Sequence, residues 1–243
     1  MSSELLIEAA ASLRDDVDEI ASEITSDGLA ETIYNPLMYA WKIHEAYLRI
    51  AGDLGAKAIL LGMNPGPHGM GQMGIPFATT SVVRNLFGIT DIEVMQPHDV
   101  HPRRPINGLS HLREEVSGSR LWGALYSKYG STDEIFSNVF VVNHCPLMIF
   151  SGDRATNITP DKISGTSVRK LLERCDEHLS QVVRIMGAKS VIGVGKYAER
   201  RAAGSFANSD VSITSCWHPS PASPLANRNG GEDWRMNFAS VLP

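Results

Sequence analysis

The sequence predicts a single α/β domain, a three-layer α/β/α sandwich around a central four-stranded, mainly parallel sheet. Three observations lead there. Short, almost unbroken apolar runs recur at Ala58–Gly62, Val139–Val142 and Ser190–Gly195, the pattern of strands buried on both faces of a parallel sheet. Segments with helical spacing separate them, and such alternation implies right-handed strand–helix–strand crossovers. Polar residues come directly after each run, and in open parallel sheets ligands bind beyond the carboxyl ends of the strands.

Each element has its own signal. Ser3–Thr25 carries a helical stripe of Leu5, Ala9, Leu13 and Val17. Tyr34-Asn35-Pro36 opens a second helix, expected over Leu37–Ala51 with Pro36 in its first turn. Ala58–Gly62 is the first strand. Helical patterns at Ser81–Phe87 and Leu109–Tyr129 lead to the second, Val139–Val142, and Ile163–Met186 leads to the third, Ser190–Gly195. Tyr197–Ala203 leads to the fourth, Val211–Cys216, which is more alternating, and Glu232–Val241 closes the chain as a helix. With no internal repeat or long linker, residues 1–243 read as one domain, in which 1–33 form an acidic helical extension.

Composition narrows the class. Of 243 residues, 43% are hydrophobic, enough for an ordinary buried core. No apolar run reaches the ~18 residues of a membrane span, and the acidic N-terminus lacks the basic region of a secretory signal. The cysteines, Cys145, Cys175 and Cys216, are too scattered for a disulfide framework or a CxxC site and too few for an iron–sulfur cluster, which takes about four thiolates. A cytoplasmic chain is expected, nuclear in a eukaryotic cell, and nothing points to an oligomer. The net charge of −5 hides an asymmetry: residues 1–56 carry 11 acids and 3 bases, whereas the remainder holds 16 acids and 19 bases. A weakly basic face beyond residue 56 is compatible with a polyanionic partner.

The residues after the strands are Asn64, then Asn143-His144, then Lys196, then His218-Pro219-Ser220-Pro221. Although far apart in sequence, they should converge on one edge. No Asp or Glu sits at a strand end, so this reading finds neither a carboxylate base nor a metal cage. Such a site suits a bond that breaks largely by itself once its leaving group is stabilised. N-glycosidic cleavage is of that kind, passing through an oxocarbenium-like state, and a His donor aimed at the departing anion supplies electrostatic stabilisation. The stretch GMNPGPHGMGQMGIPF from Gly62 to Phe77 has five Gly, three Pro and no Lys, Arg, Asp or Glu, as expected of a dry slot for a neutral ligand.

That stretch resembles the water-activating motif of the uracil-DNA glycosylase superfamily, in the form found in its single-strand-selective monofunctional family. HPSPASPLANRNGGEDW resembles the family's leaving-group His and DNA-inserting loop, VVNHCPL its uracil-reading strand end, and YNPLMYAW an N-terminal segment. The similarity runs from about Tyr34 to the C-terminus. It implies a uracil-DNA glycosylase-like fold and a monofunctional hydrolase acting on uracil, and on C5-modified uracils, in single- and double-stranded DNA. It implies no metal or cofactor. Asn64 would position water and His218 would stabilise the uracil anion. Gly66 and Met70 would line the pocket beside C5, Phe77 would stack on the flipped base, Asn143 would read its Watson–Crick edge, and the backbone near Met63 would add donors. Pro219, Ser220, Pro221, Ala222, Ser223 and Pro224 belong to the inserting wedge, which extends to Arg228, and Lys196 would contact the DNA backbone. Two departures stand out: His68 occupies a position where vertebrate members tend to have Phe, and Ala222 one where they tend to have Arg.

Other features read as ordinary. His98-Asp99-Val100-His101 has metal-like spacing without a third ligand, and Arg103-Arg104 and Arg200-Arg201 read as solvated. Gly193-Val194-Gly195-Lys196 is not a P-loop, and its glycines would admit a phosphate close to the backbone. Ser220 lacks a nucleophile elbow. A nucleobase-binding module without chemistry and a hydrolase of free nucleosides are the competing readings.

Overall fold

The computed structural model describes residues 1–243. Helix α1 (Ser2–Ser26) is followed by β1 (Thr32–Tyr34), α2 (Pro36–Tyr39), α3 (Trp41–Gly52), β2 (Ala58–Gly62) and the one-turn α4 (Met70–Met73). Then come α5 (Val116–Tyr129), α6 (Thr132–Asn138), β3 (Val139–Asn143), β4 (Met148–Ser151), β5 (Thr156–Ile158), α7 (Thr166–Met186), β6 (Ser190–Val194), α8 (Lys196–Ser205), β7 (Ser212–Cys216) and α9 (Glu232–Ala239). The central sheet has the order β3-β2-β6-β7 and every pairing is parallel. All of β2 is buried, so its unbroken apolar run answers to helices on both faces. No helix is long and apolar enough to cross a membrane.

A second sheet, β1-β4-β5, is antiparallel and escapes the sequence reading. Its strands have only three or four residues, too short to display a period of two.

Three helical expectations are corrected by tertiary contacts. The second helix breaks at Ala40 (φ −109°, ψ 22°), because the Tyr39 carbonyl accepts from Met95 N at 2.9 Å instead of continuing the helical ladder. Ser81–Phe87 is a five-residue π-turn, Val82–Leu86. The Leu109–Tyr129 pattern is a single 3-10 turn through Ser110, breaks, and is α-helical only from Val116. Before that, Thr80 Oγ1 donates to His111 O (2.9 Å) and Ser81 donates through N (3.1 Å) and Oγ (2.9 Å) to the Glu114 carboxylate. Those bonds hold 111–115 extended beside the glycine-rich loop.

The buried stripe of α1 is Leu6, Ala10, Leu13, Val17, Ile20 and Ile24, while Leu5 is exposed. The observed stripe keeps to 3.6 residues per turn, whereas strict four-residue steps through Leu5 drift off the face. Leu6 and Ala10 join the main core, and Leu13 to Ile24 build a second cluster with Val168, Leu171 and Cys175 of α7. The acids of α1 meet bases on the helices it packs against: Glu23 with Lys170 (2.5 Å), Asp16 with Arg174 (2.6 Å) and Glu4 with Arg49 (2.5 Å). The two exposed pairs, Glu23–Lys170 and Glu4–Arg49, contribute about 0–1 kcal/mol each, whereas Arg174 is largely covered.

Candidate active site

The carboxyl ends of the parallel strands open into a cavity of about 440 Å³. Register brings its parts together. Gly62 pairs with Asn143, and the ladder continues past the strands through His144 N to Gly62 O (3.0 Å) and Cys145 N to Met63 O (2.9 Å). Met63, Asn64, Gly66, Phe77, Asn143, His218, Ser220 and Pro221 all line the cavity. Met70 stands behind them, its Sδ accepting from Asn143 Nδ2 at 3.2 Å. That bond leaves Asn143 Oδ1 buried without a partner, and Asn64 Nδ2 is likewise buried and unpartnered. Buried polar atoms are nearly always satisfied, so orphans on two residues that line one cavity mark groups kept free for a ligand.

The glycine-rich loop is strapped down. Tyr39 OH donates to Gly71 O (2.5 Å), and Gln72 Nε2 donates to Pro67 O (3.0 Å) and Pro105 O (3.2 Å). His44, whose pKa burial lowers to about 4, is neutral and donates from Nδ1 to Gly74 O at 2.7 Å. At the end of the loop Phe77 has φ 56°, a left-handed conformation that costs a bulky residue roughly 1–3 kcal/mol. Trp122 Nε1 holds the neighbouring Pro76 carbonyl at 3.2 Å. The ring of Phe77 lies 6.0 Å from that of His218, tilted by 45°.

His218 is set as a neutral donor. Ser220 N donates to its Nδ1 at 3.1 Å, which fixes the proton on Nε2. Burial also lowers its pKa below the ordinary histidine value, because the charged ring is the form that desolvation penalises. An Nε2–H that stays neutral can donate to a developing anion without first losing a proton.

Asn143 is aimed from below. Next to it, His144 turns into the interior, where Tyr197 OH meets Nδ1 and Asp176 Oδ1 meets Nε2, both at 2.9 Å. Asp176 is held in turn by Arg201 and Ser205. This relay pins the strand end, and sequence reasoning missed it because its members lie just after β3, on α7 and on α8.

The structure reassigns several residues. Arg201 belongs to the half-buried outer end of that relay, and Arg104 donates to Ala155 O (3.2 and 2.8 Å) while lying over Phe150; neither is simply solvated. Lys196 pairs with Glu199 at 2.7 Å on the surface and does not line the cavity. The backbone approach that Gly195 permits is to His218, whose Cβ lies 3.3 Å from where a Gly195 side chain would begin. His101 accepts from Arg103 N and donates its own N–H to Tyr34 OH, a structural use. His68 Nδ1 meets His111 Nε2 at 3.0 Å with the rings stacked, and burial lowers its pKa to about 4, so it is a neutral wall of the cavity.

The wedge loop is braced from one side. Arg120 donates to Pro219 O (2.9 Å) and Asn227 Oδ1 (3.0 Å), and Asn227 Nδ2 donates to Pro221 O (2.8 Å) and Ser223 O (3.1 Å). Pro221 and Ala222 are exposed at its tip.

The largest correction concerns the missing carboxylate. None stands at a strand end, but Glu115 reaches the cavity from the start of α5. Its carboxyl pKa is pushed up to about 7 by desolvation. Sequence reasoning missed it by reading residues 109–129 as one helix. A larger cleft, about 670 Å³, lies between α1 and residues 95–99, but none of the chain's unpartnered buried side-chain atoms lines it.

The family profile of the uracil DNA glycosylase superfamily matches residues 50–236, a span that contains the whole cavity. The chain belongs to that superfamily. Within it, the chain falls in the single-strand-selective monofunctional family. It is 39% identical over 223 residues to the single-strand selective monofunctional uracil DNA glycosylase of Bos taurus, covering 88% of this chain and 80% of the relative. It is 40% identical over 198 residues to that of Rattus norvegicus, covering 81% and 70%. The crystal structure of Pedobacter heparinus SMUG2 superimposes with a TM-score of 0.63 over 86% of both chains, at 17% identity, which places this glycosylase-family chain in the same fold.

Proposed function

We propose that the protein is a monofunctional DNA glycosylase that hydrolyses the N-glycosidic bond of uracil, leaving an abasic site, without metal or cofactor. The observation that carries this reading is the meeting of unpartnered Asn64 Nδ2 and Asn143 Oδ1 with a neutral His218 Nε2–H in one cavity. An extruded uracil stacks on Phe77, and Asn143 pairs with its Watson–Crick edge, as enzymes acting on flipped bases require. Asn64 orients the attacking water. As the C1′–N1 bond breaks, its electron pair stays on uracil, and His218 donates a hydrogen bond to that anion. C5-modified uracils are accepted where Gly66 and Met70 line the pocket beside C5. The direct test is release of free uracil from single- and double-stranded uracil-DNA in the presence of a chelator. Cleavage of free deoxyuridine alone, or binding without release, would replace this reading with one of its competitors.

The wedge of this chain is expected to plug duplex DNA weakly, in addition to whatever gives its mammalian relatives, which tend to carry Arg at this position, the single-strand selectivity in their names. With Ala222 at its exposed tip, the loop has little to fill the stack that a flipped base vacates. Ala222→Arg is expected to raise activity on duplex relative to single-stranded substrate by roughly two- to tenfold, since the cost of unstacking is a few kcal/mol. An unchanged ratio would show that the wedge does not set strand preference.

Arg113, exposed at the cavity mouth, is suited to a phosphate. Arg113→Ala should weaken binding evenly across sequences and reduce the slope of log affinity against log salt by about one; an unaltered slope would remove it from the interface.

A further inference from the structure

We propose that Glu115 is the general base of this reaction, taking a proton from the water that Asn64 orients. The inference rests on the glycosylase reading above and adds to it a carboxylate that neither the strand ends nor the motifs supply.

Four observations carry it. Glu115 lines the same cavity as Asn64, Phe77, Asn143 and His218. Its Oε2 is sealed from solvent and has no hydrogen-bond partner. The residue occupies the N-cap of α5, where a carboxylate would ordinarily bind the first free N–H groups, yet its side chain makes no capping bond. Finally, the glycine-rich loop makes room for it: a side chain on either Gly66 or Gly69 would collide with Oε2. An acceptor withheld from the helix cap, dry and set against Gly66 on the loop that carries the water-positioning Asn, is placed for proton transfer.

The chemistry balances. The water oxygen bonds C1′ as the C1′–N1 pair leaves with uracil, and the water's proton passes to the Glu115 carboxylate. Before attack, the carboxylate favours the positive charge developing on the sugar. After it, the protonated acid no longer repels the uracil anion, and it returns its proton to the departing base or to solvent.

The charged and titratable groups facing it are Arg113 and Glu114 on its own segment, His68 on the glycine-rich loop and His218 after β7, with His111 stacked behind His68. Burial lowers the pKa of all three histidines, so a rate-limiting ionisation near pH 7 belongs to the raised carboxyl.

The test is the single-turnover rate on single-stranded uracil-DNA across roughly pH 5.5 to 9, for wild type, Glu115→Gln and Glu115→Asp. The wild-type rate should rise through about pH 7 to a plateau. Glu115→Gln should lose that rise and fall about 10²-fold or more at the plateau, while Glu115→Asp keeps the rise at a lower rate. Thermal denaturation separates a prop from a base. Because the folded carboxyl titrates above its unfolded value of 4.5, the fold bears a charge penalty that builds from about pH 4.5, is complete above about pH 7, and is removed by Gln. Glu115→Gln should therefore melt higher than wild type at alkaline pH and nearly equal to it in acid. A variant that keeps the wild-type rate and pH profile, or that loses activity together with a lowered melting temperature, overturns the proposal. If wild type itself releases no uracil, the glycosylase reading falls first and this one with it.

Discussion

His218→Ala is expected to lower the single-turnover rate of uracil release by about 10²–10³-fold, the usual cost of removing one donor to a developing oxyanion. Asn64→Ala should cost at least as much, and the double variant should fall by less than the product of the two, because both residues act on one transition state. Neither change should unfold the protein. His218 and Asn64 are each only partly covered by their surroundings, and removing Asn64 also removes an unpartnered buried Nδ2. Quenched-flow rates with melting curves as controls decide the matter. A double variant that releases uracil at near-wild-type rate would sink the assignment. The Ser220 N–H bond to Nδ1 makes a further distinction: His218→Gln, which keeps a donor without the ring, should recover part of the loss.

The second large effect is expected from one methyl group. Gly62 ends β2 opposite Asn143, and a Cβ there would strike Asn143 Oδ1 and lie 2.5 Å from Phe77 Cε2. Gly62→Ala must displace the Asn143 amide or the Phe77 ring, and neither has slack. Phe77 is already at φ 56°, and Asn143 is fixed through Met70 Sδ and the His144 relay. Overpacking of this kind costs about 1–3 kcal/mol of stability. A misplacement near 1 Å can cost on the order of 10²-fold in rate. Loss of uracil release in a folded protein, with selectivity against cytosine relaxed in the residual activity, is the expected result. Full activity would mean that the ring and the amide are not held as described.

Much of the site was legible because its residues are tied to strand ends. Asn64, Asn143 and His218 come at or just after apolar runs whose buried, parallel character shows in composition alone, and parallel strands must deliver the residues at their carboxyl ends to one edge. The glycine-rich stretch was legible for a similar reason: five glycines without a charged side chain are costly unless backbone must approach something closely. Met70, attached to the pocket by motif, stands behind Asn143 and touches it through sulfur.

The parts that sequence could not place were decided by contacts between distant segments. Residues 109–129 have one continuous helical pattern, yet 111–115 are pulled straight by Thr80 and Ser81, and only that early stop delivers Glu115 to the cavity. Lys196 sits after a strand as the rule demands, but its side chain lies outside the cavity, exposed at the surface beside Glu199. The sequence by itself determined the parallel sheet and the edge on which its polar residues meet, because apolar runs and chain order suffice for those. The tertiary structure alone decided which charged groups enter that edge, because a long charged side chain goes where neighbouring hydrogen bonds and desolvation allow, and those neighbours are set by the packing of separate segments.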